Sequence, residues 1–251
     1  MKISHSQESL GQDNQLLKKT LSLLNSENVF VDVGANQGEL IFPIVQKIKR
    51  ISVYAIEPDL IKFEQLKQNS FEWEKQSKNK IYPLNIAMSD RDGQENFMRS
   101  QLPNNKILLK FNLAQVKDEF KESSSWEQIS VDVFKLDTLF KPIKPALIKI
   151  DVGGNELKIL QGSTAILKEG KTKFLLNFNH QYTAESKDRQ EQIFQFMKSF
   201  NYTPKNFDKV VLFVNQQKHK KYKLLFEDLK TLLRQVLPKT LRYRLKELIK
   251  K

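Results

Sequence analysis

The sequence contains no cysteine and only three histidines. The lack of cysteine excludes disulfide bonds, a thiolate nucleophile and cysteine-based metal sites, and it suits a reducing compartment. No uncharged apolar run approaches the roughly 18 residues that a membrane-spanning helix needs. The first fourteen residues are polar and lack the apolar segment of a secretion signal. We therefore expect a cytoplasmic protein, and no residue spacing demands a metal.

Acidic residues are few relative to basic ones, and the formal net charge is +13. Most of this excess lies in residues 216–251, where twelve lysines and arginines face three acidic residues. Apolar residues recur there at helical spacing, which predicts a basic amphipathic tail that binds an anionic membrane surface or docks on a partner. A helix that packs on its own domain is the alternative. Nucleic acid is disfavoured because the tail carries an apolar stripe.

Glycine is also scarce, with eight in the chain, and two of them punctuate the stretch around which the sequence is organised. Residues 29–31 form an apolar run, Gly34 and Gly38 follow, and a helical pattern comes next. This order predicts a buried parallel strand, a tight turn and a helix. Asp32 precedes the turn and Asn36 takes the place of the middle glycine of a dinucleotide-binding turn.

The residues around this turn favour a cationic nucleoside over a pyrophosphate. Asp32 would repel phosphate and attract the sulfonium and ammonium of S-adenosylmethionine. Glu57 lies nineteen residues after Gly38, at the end of the next apolar run, where a carboxylate can accept hydrogen bonds from ribose. A purely structural turn is the alternative interpretation of the glycines.

Further strand ends supply more polar candidates, because ligands of open α/β sheets bind at the carboxyl edge. The run Ile81–Ala87 predicts a third strand, whose end places Asn85, Ala87 and Ser89 where they could face an adenine. Ala146–Ile150 predicts a fourth strand that leads into Asp151. Asp151 therefore joins Asp32 and Glu57 at one edge, although a helix-capping role would also explain it.

The remaining patterns are weaker. Phe174–Phe178 predicts a fifth strand that leads to His180, and Val210–Val214 predicts a last one. Ile129–Leu136 alternates between apolar and polar residues, which predicts a half-exposed antiparallel strand. Residues 94–130 lack periodicity, so they form either a substrate-facing insertion or a loose surface connection. Gln15–Leu24 predicts a helix that covers the core.

Five motifs occur in an order and spacing that resemble the FkbM-type family of S-adenosylmethionine-dependent methyltransferases: VFVDVGANQG, YAIEPD, LNIAMSDRDG, KLDTL and LIKIDVGGNELKILQGS. The resemblance covers Val29–Asn215. It implies a class I methyltransferase, Rossmann-like α/β fold, in which a mostly parallel seven-stranded sheet has helices on both faces and a final antiparallel hairpin. Residues 1–28 would form an N-terminal helical cover, 29–215 the catalytic domain and 216–251 the tail.

The resemblance also implies roles for individual residues. Asp32, Gly34, Asn36 and Gly38 would hold the methionine end of the cofactor, Glu57 the ribose and the Asn85–Asp90 region the adenine. The full predicted cofactor set is Asp32, Gly34, Asn36, Gly38, Glu57, Pro58, Asn85, Ala87, Ser89 and Asp151. The implied reaction is methyl transfer to a hydroxyl of a sugar, glycan or natural product. Because an alcohol must lose its proton as the bond forms, His180 and Asp151 are the candidate bases.

Two departures from the family pattern leave a second hypothesis open. Gly153 replaces the glutamate of the family's K-I-D-V-E-G motif, and Asn177 stands where the fifth strand commonly carries a glutamate. The alternative to an active enzyme is a catalytically weakened cofactor-binding module that docks through its basic tail. A nucleic-acid methyltransferase is the third hypothesis, and it lacks the Asn/Asp-Pro-Pro-aromatic motif expected for methylation of a base amino group.

Overall fold

The structure, a computed structural model, describes residues 7–101, 107–110, 126–178, 184–207 and 209–216. The predicted base His180 and almost all of the basic tail lie outside these ranges. The elements alternate between strands and helices. In chain order they are α1 (Gln7–Leu23), β1 (Val29–Val33), α2 (Ile41–Lys47), β2 (Ser52–Ile56), α3 (Leu60–Lys75), β3 (Lys80–Leu84), β4 (Ala87–Met88), β5 (Gly93–Gln101), β6 (Ile107–Lys110), β7 (Trp126–Phe134), α4 (Leu136–Phe140), β8 (Leu147–Ile150), α5 (Glu156–Gln161), α6 (Thr164–Glu169), β9 (Lys173–Asn177), α7 (Ala184–Ser199), β10 (Tyr202–Phe207) and β11 (Val210–Asn215).

A seven-stranded sheet in the order β10-β11-β9-β8-β1-β2-β3 organises the fold. The strands β3, β2, β1, β8 and β9 pair in parallel, and β11 pairs antiparallel to β9. The parallel register places Asp32 opposite Ala55 on one side and Lys149 on the other. The predicted α/β class I methyltransferase fold is confirmed, and the carboxyl ends of β1, β2 and β8 meet at one edge.

Side chains alternate between two apolar layers, one on each face of this sheet. Val31, Val33 and Ile148 belong to one buried cluster, which also includes residues of α4, α5, α6 and α7. Phe30 and Leu147 belong to the other, which includes residues of α1, α2 and α3. Continuous apolar strands are what a sheet covered on both faces requires. Among the described helices, none is long and apolar enough to cross a bilayer.

A second sheet, in the order β4-β7-β5-β6, occupies much of the region that lacked periodicity. The predicted antiparallel strand at 129–136 is present as β7, which begins earlier, at Trp126, and pairs with β5 from Gly93 to Ser100. The run predicted as one third strand is split into β3 and β4. β5 was not predicted because its buried residues are few, with Phe97 in the small core of this sheet.

Two further elements differ from the pattern along the chain. The chain after Gly154 forms two short helices, α5 and α6, separated at Gly162 and Ser163. β10 was not predicted from periodicity, although the final hairpin implied by the family resemblance includes it. Tyr202 at its start is buried, and its hydroxyl donates to the carbonyl of Thr172. A tertiary hydrogen bond of this kind has no local sequence signature.

Candidate cofactor and acceptor site

The turn after β1 requires both of its glycines, because each has a positive φ and no room for a Cβ. Gly34 has a φ of +80°, and a Cβ there would overlap the carbonyl oxygen of Asp151. Gly38 has a φ of +94°, and its Cβ would lie 2.6 Å from the ring of Trp73. Asn36 has a φ of 52°, a left-handed conformation that asparagine tolerates better than most residues. The turn is therefore packed directly against the end of β8 and against α3.

Glu57 holds this turn and the start of α3 together. Its Oε2 accepts a hydrogen bond from the backbone amide of Asn36 at 2.9 Å, and its Oε1 accepts one from the amide of Asp59 at 3.0 Å. Each carboxylate oxygen keeps a second lone pair that ribose hydroxyls could use. Burial raises the pKa of Glu57, against the lowering effect of the nearby Lys62 ammonium and of the two backbone hydrogen bonds.

Two further side chains, Asn85 and Arg99, hold the loop of residues 57–59 that follows β2. The side-chain amide of Asn85 donates to the carbonyls of Glu57 and Pro58 at 3.0 and 3.1 Å. Arg99 of β5 places its Nε 3.0 Å from Oδ2 of the buried Asp59. The second sheet is thereby tied to the edge at which the predicted site lies.

Ala87 and Ser89 have packing contacts of their own. Ala87 lies in the small core of the second sheet with Phe97 and Val133. The Ser89 hydroxyl donates to Glu95 at 2.9 Å. Both side chains are buried, so their assignment to the adenine remains a prediction.

A row of polar side chains crosses three adjacent strands on one face of the sheet. Asp32 on β1 lies opposite Lys149 on β8, and Lys149 Nζ is 2.8 Å from Asp32 Oδ1. Asp151 Oδ2 is 4.0 Å from the same ammonium and accepts a hydrogen bond from Asn177 Nδ2 of β9 at 2.9 Å. The row therefore runs from a buried carboxylate through a cation to a second carboxylate and an amide.

Lys149 is the functional candidate that the sequence analysis missed. Its side chain is 4% exposed, and it also donates to the Gly34 carbonyl at 2.9 Å. Burial alone would lower its pKa, but the carboxylates of Asp32 and Asp151 outweigh this effect and raise it, so the ammonium stays charged. The signal was present in ALIKID, because a lysine within a buried parallel strand needs a partner.

Lys149 changes the expected role of Asp32. The carboxylate is fully buried and its charge is balanced by the ammonium, so it does not act as an isolated negative charge. Asp151, with 27% of its side chain exposed, is the open carboxylate of the row. Glu57, which follows the neighbouring strand β2, also raises the pKa of Lys149, so this ammonium interacts with all three predicted carboxylates.

The two departures from the family pattern have local structural consequences. Gly153 has a φ of +77° and Gly154 a φ of +122°, so the loop after β8 adopts backbone conformations that residues other than glycine disfavour. Asn177 donates to Asp151, whereas a glutamate there would place a second negative charge beside it. Glu156, a possible cation ligand, instead accepts from the amide of Gly154 at 3.0 Å. The described residues contain no group of three potential metal ligands.

Two buried acceptors near the turn fit a ligand that brings hydrogen-bond donors. Asp32 Oδ2 and Asn36 Oδ1 are inaccessible to solvent and accept no hydrogen bond from the described residues. Buried polar atoms without partners are uncommon in folded proteins. An amino-acid ammonium would satisfy them, and the methionine end of S-adenosylmethionine carries one. The residues present therefore fit this cofactor.

The known proteins that this chain resembles include methyltransferases. The family model described as Methyltransferase FkbM domain matches residues 32–204, which is more than half of the chain. No curated protein matches the chain in sequence. Among solved structures, the chain is similar to an FkbM methyltransferase from Methylobacillus flagellatus KT, at 19% identity and a TM-score of 0.51. That match covers 76% of this chain and 45% of the other, so this chain spans less than half of that protein's length.

Two more distant structures are methyltransferases. Magnesium protoporphyrin IX methyltransferase from Synechocystis PCC 6803, solved with bound cofactor, has 11% identity and a TM-score of 0.44, and the match covers 85% of this chain and 84% of that one. A precorrin-6y methyltransferase from Geobacter metallireducens GS-15 has 14% identity and a TM-score of 0.42, with 78% and 84% covered.

Proposed function

Because the chain belongs to the FkbM methyltransferase family, whose cofactor is S-adenosylmethionine, we propose that it methylates a hydroxyl oxygen of a sugar, glycan or other small molecule. One observation carries the proposal. The partly exposed carboxylate of Asp151 lies at the end of β8, whose backbone packs against the cofactor turn at Gly34. The proposed proton acceptor would therefore lie next to the proposed methyl-donor site.

The cofactor is held by the turn and by the neighbouring strand ends. Asp32 and Asn36 offer the unpartnered acceptors for the ammonium of its methionine end. Glu57 offers its remaining lone pairs to the ribose, and the Asn85–Ser89 segment is assigned to the adenine. When bound, S-adenosylmethionine supplies an electrophilic methyl group on its sulfonium. The remaining task of the protein is to orient the acceptor hydroxyl and to take its proton.

Asp151 is the proposed base. Its Oδ2 is occupied by the Asn177 amide, so Oδ1 is the oxygen left to accept a hydrogen bond from the acceptor hydroxyl. His180 is the second candidate, and it stays a prediction because it lies outside the described residues. A hydrogen-bonded carboxylate that faces the solvent can orient a hydroxyl even where its basicity is modest.

The test compares cofactor binding with methyl transfer. Calorimetry should detect S-adenosylmethionine binding to the full-length wild type, and labelled cofactor with a cell extract should reveal the methylated product. Asp151→Asn should abolish transfer even at S-adenosylmethionine concentrations at which calorimetry shows that the variant is saturated. The matched control is Asp132→Asn, which changes an exposed aspartate on β7 that contacts Gln94. Undiminished transfer by Asp151→Asn would remove Asp151 from the mechanism, and His180→Ala would then be the variant to test.

The weakened-module alternative is supported by Gly153 and Asn177, which remove two acids that the family pattern carries. It predicts that wild type binds S-adenosylmethionine but labels no product in the extract. The enzyme proposal predicts both binding and a labelled product, so the same pair of assays separates the two.

The basic tail supports a further proposal, that the protein associates with anionic membrane surfaces. The twelve lysines and arginines of residues 216–251 and their apolar stripe motivate it. Full-length protein should bind anionic vesicles at low salt, and binding should fall as salt rises. A chain that ends at Asn215 should not bind. Equal binding of both would exclude the tail as the anchor.

A further inference from the structure

Lys149 is a buried cation that contacts both sides of the proposed site. On the cofactor side, its ammonium pairs with Asp32 at 2.8 Å and donates to the Gly34 carbonyl at 2.9 Å. On the acceptor side, it lies 4.0 Å from Asp151 Oδ2. Because Gly34 follows β1 while Asp151 follows β8, one side chain joins two loops that are far apart in the sequence.

We propose that Lys149 is a positioning residue that couples the cofactor turn to the acceptor carboxylate. The inference rests on the proposed function, and it adds a residue for which neither the sequence motifs nor the family match assigns a role. The ammonium fixes the Gly34 carbonyl. It also lowers the pKa of Asp32 against the larger raising effect of burial, which favours the ionised form that can receive the cationic end of the cofactor. The same charge orients Asp151, whose other neighbour is Asn177.

Removing the ammonium should affect the two carboxylates differently. The charged groups that act on Lys149 are Asp32 from β1, Asp151 from the end of its own strand and Glu57 from the end of β2. Asp32 also interacts with Asp151 and with Glu39, whose own pKa is raised, chiefly by burial, and both groups are present in wild type and variant alike. Asp32 is fully buried, whereas Asp151 is partly exposed and keeps the Asn177 hydrogen bond. A buried carboxylate without a counter-charge takes up a proton. We therefore expect Asp32 to become neutral in the variant.

The experiment measures S-adenosylmethionine affinity of full-length wild type and Lys149→Met by calorimetry at about pH 6 and about pH 8.5, which bracket the range in which a desolvated carboxyl would titrate. At the lower pH, the variant should bind at least about tenfold more weakly than wild type, because Asp32 is protonated. The difference should shrink at the higher pH as Asp32 ionises. Lys75→Met, which removes an exposed lysine of α3, is the matched control and should match wild type at both values.

An equal loss of affinity at both pH values, or no loss, would overturn the inference, because a packing role alone does not depend on pH. If Lys149→Met does not fold, the double variant Asp32→Asn/Lys149→Met replaces it. Removal of both charges should restore folding and give weak binding without the pH-dependent difference. A double variant that fails to fold, or that keeps that difference, would also overturn the inference.

A wild type that binds no S-adenosylmethionine would overturn the proposed function instead. Urea unfolding of Lys149→Met and of the double variant then tests the charge coupling between Lys149 and Asp32. The double variant should be more stable than Lys149→Met, because it leaves no buried carboxylate unpaired. Equal or lower stability of the double variant would refute the coupling.

Discussion

Replacing Gly34 with alanine should damage both the fold and the cofactor site. The left-handed backbone of Gly34, with a φ of +80°, costs an L-residue about 1–2 kcal/mol. The new Cβ would also overlap the Asp151 carbonyl oxygen, and forcing atoms into a packed interior costs about 1–3 kcal/mol. The free energy of unfolding should therefore fall by about 2–5 kcal/mol.

Gly93→Ala is the matched control for this prediction. Gly93 also has a positive φ, +141°, but no atom lies within 4 Å of its Cβ position. Only the backbone cost of about 1–3 kcal/mol is expected there. Urea unfolding followed by circular dichroism compares the two stabilities. Calorimetry should show cofactor affinity at least about tenfold weaker in Gly34→Ala, a loss of about 1.4 kcal/mol, and unchanged in Gly93→Ala. Equal effects of the two substitutions on stability and on binding would refute the steric argument.

Three further predictions concern single side chains. Burial raises the pKa of Glu57 above its ordinary value of 4.5, so the affinity for the cofactor, which needs the ionised carboxylate, should decline as pH falls through that raised value. Glu57→Gln should bind the cofactor weakly and without this pH dependence, whereas the exposed control Glu72→Gln should retain it. Calorimetry across this pH range tests both variants. Asp137→Ala should lower the free energy of unfolding by about 1.5–3 kcal/mol, because this carboxylate accepts hydrogen bonds from two backbone amides in the first turn of α6, at 2.7 and 2.9 Å. An unchanged midpoint of urea unfolding would contradict that role. Gly153→Glu, which restores the acid of the family pattern, should lower the free energy of unfolding by about 1–2 kcal/mol, because Gly153 has a left-handed backbone. A gain in stability or in methyl transfer would show that the loop tolerates the acid.

Local sequence determined the strand-turn-helix unit at the start of the sheet. Val29–Val31 is an apolar run of the kind that a strand covered on both faces requires, and Gly34 and Gly38 mark the turn. The same logic places Glu57 and Asp151 at strand ends, because each follows an apolar run directly. Since parallel strands end at a common edge, their convergence could be predicted without coordinates.

Other features depended on partners that lie far apart in the sequence. The second sheet went unpredicted because β5 gains its few buried contacts only by pairing with β7, and a mostly polar strand has little periodic signal. Tyr202 is buried with its hydroxyl donating to the Thr172 carbonyl, a partner that no local pattern indicates. Local sequence therefore indicated the buried strands of the large sheet more clearly than the mostly polar strands of the second sheet.

The site shows the same division. The residue types at the strand ends indicated a cationic ligand and a base. They indicated no role for Lys149, which is one polar residue inside an apolar run. Only the parallel register of β1 and β8 places it opposite Asp32, and only the turn at Gly34 brings a carbonyl to its ammonium. The sequence therefore determined which charges reach the sheet edge, and the tertiary structure decided which of them neutralise each other, because Coulomb energy depends on the distances that strand pairing sets.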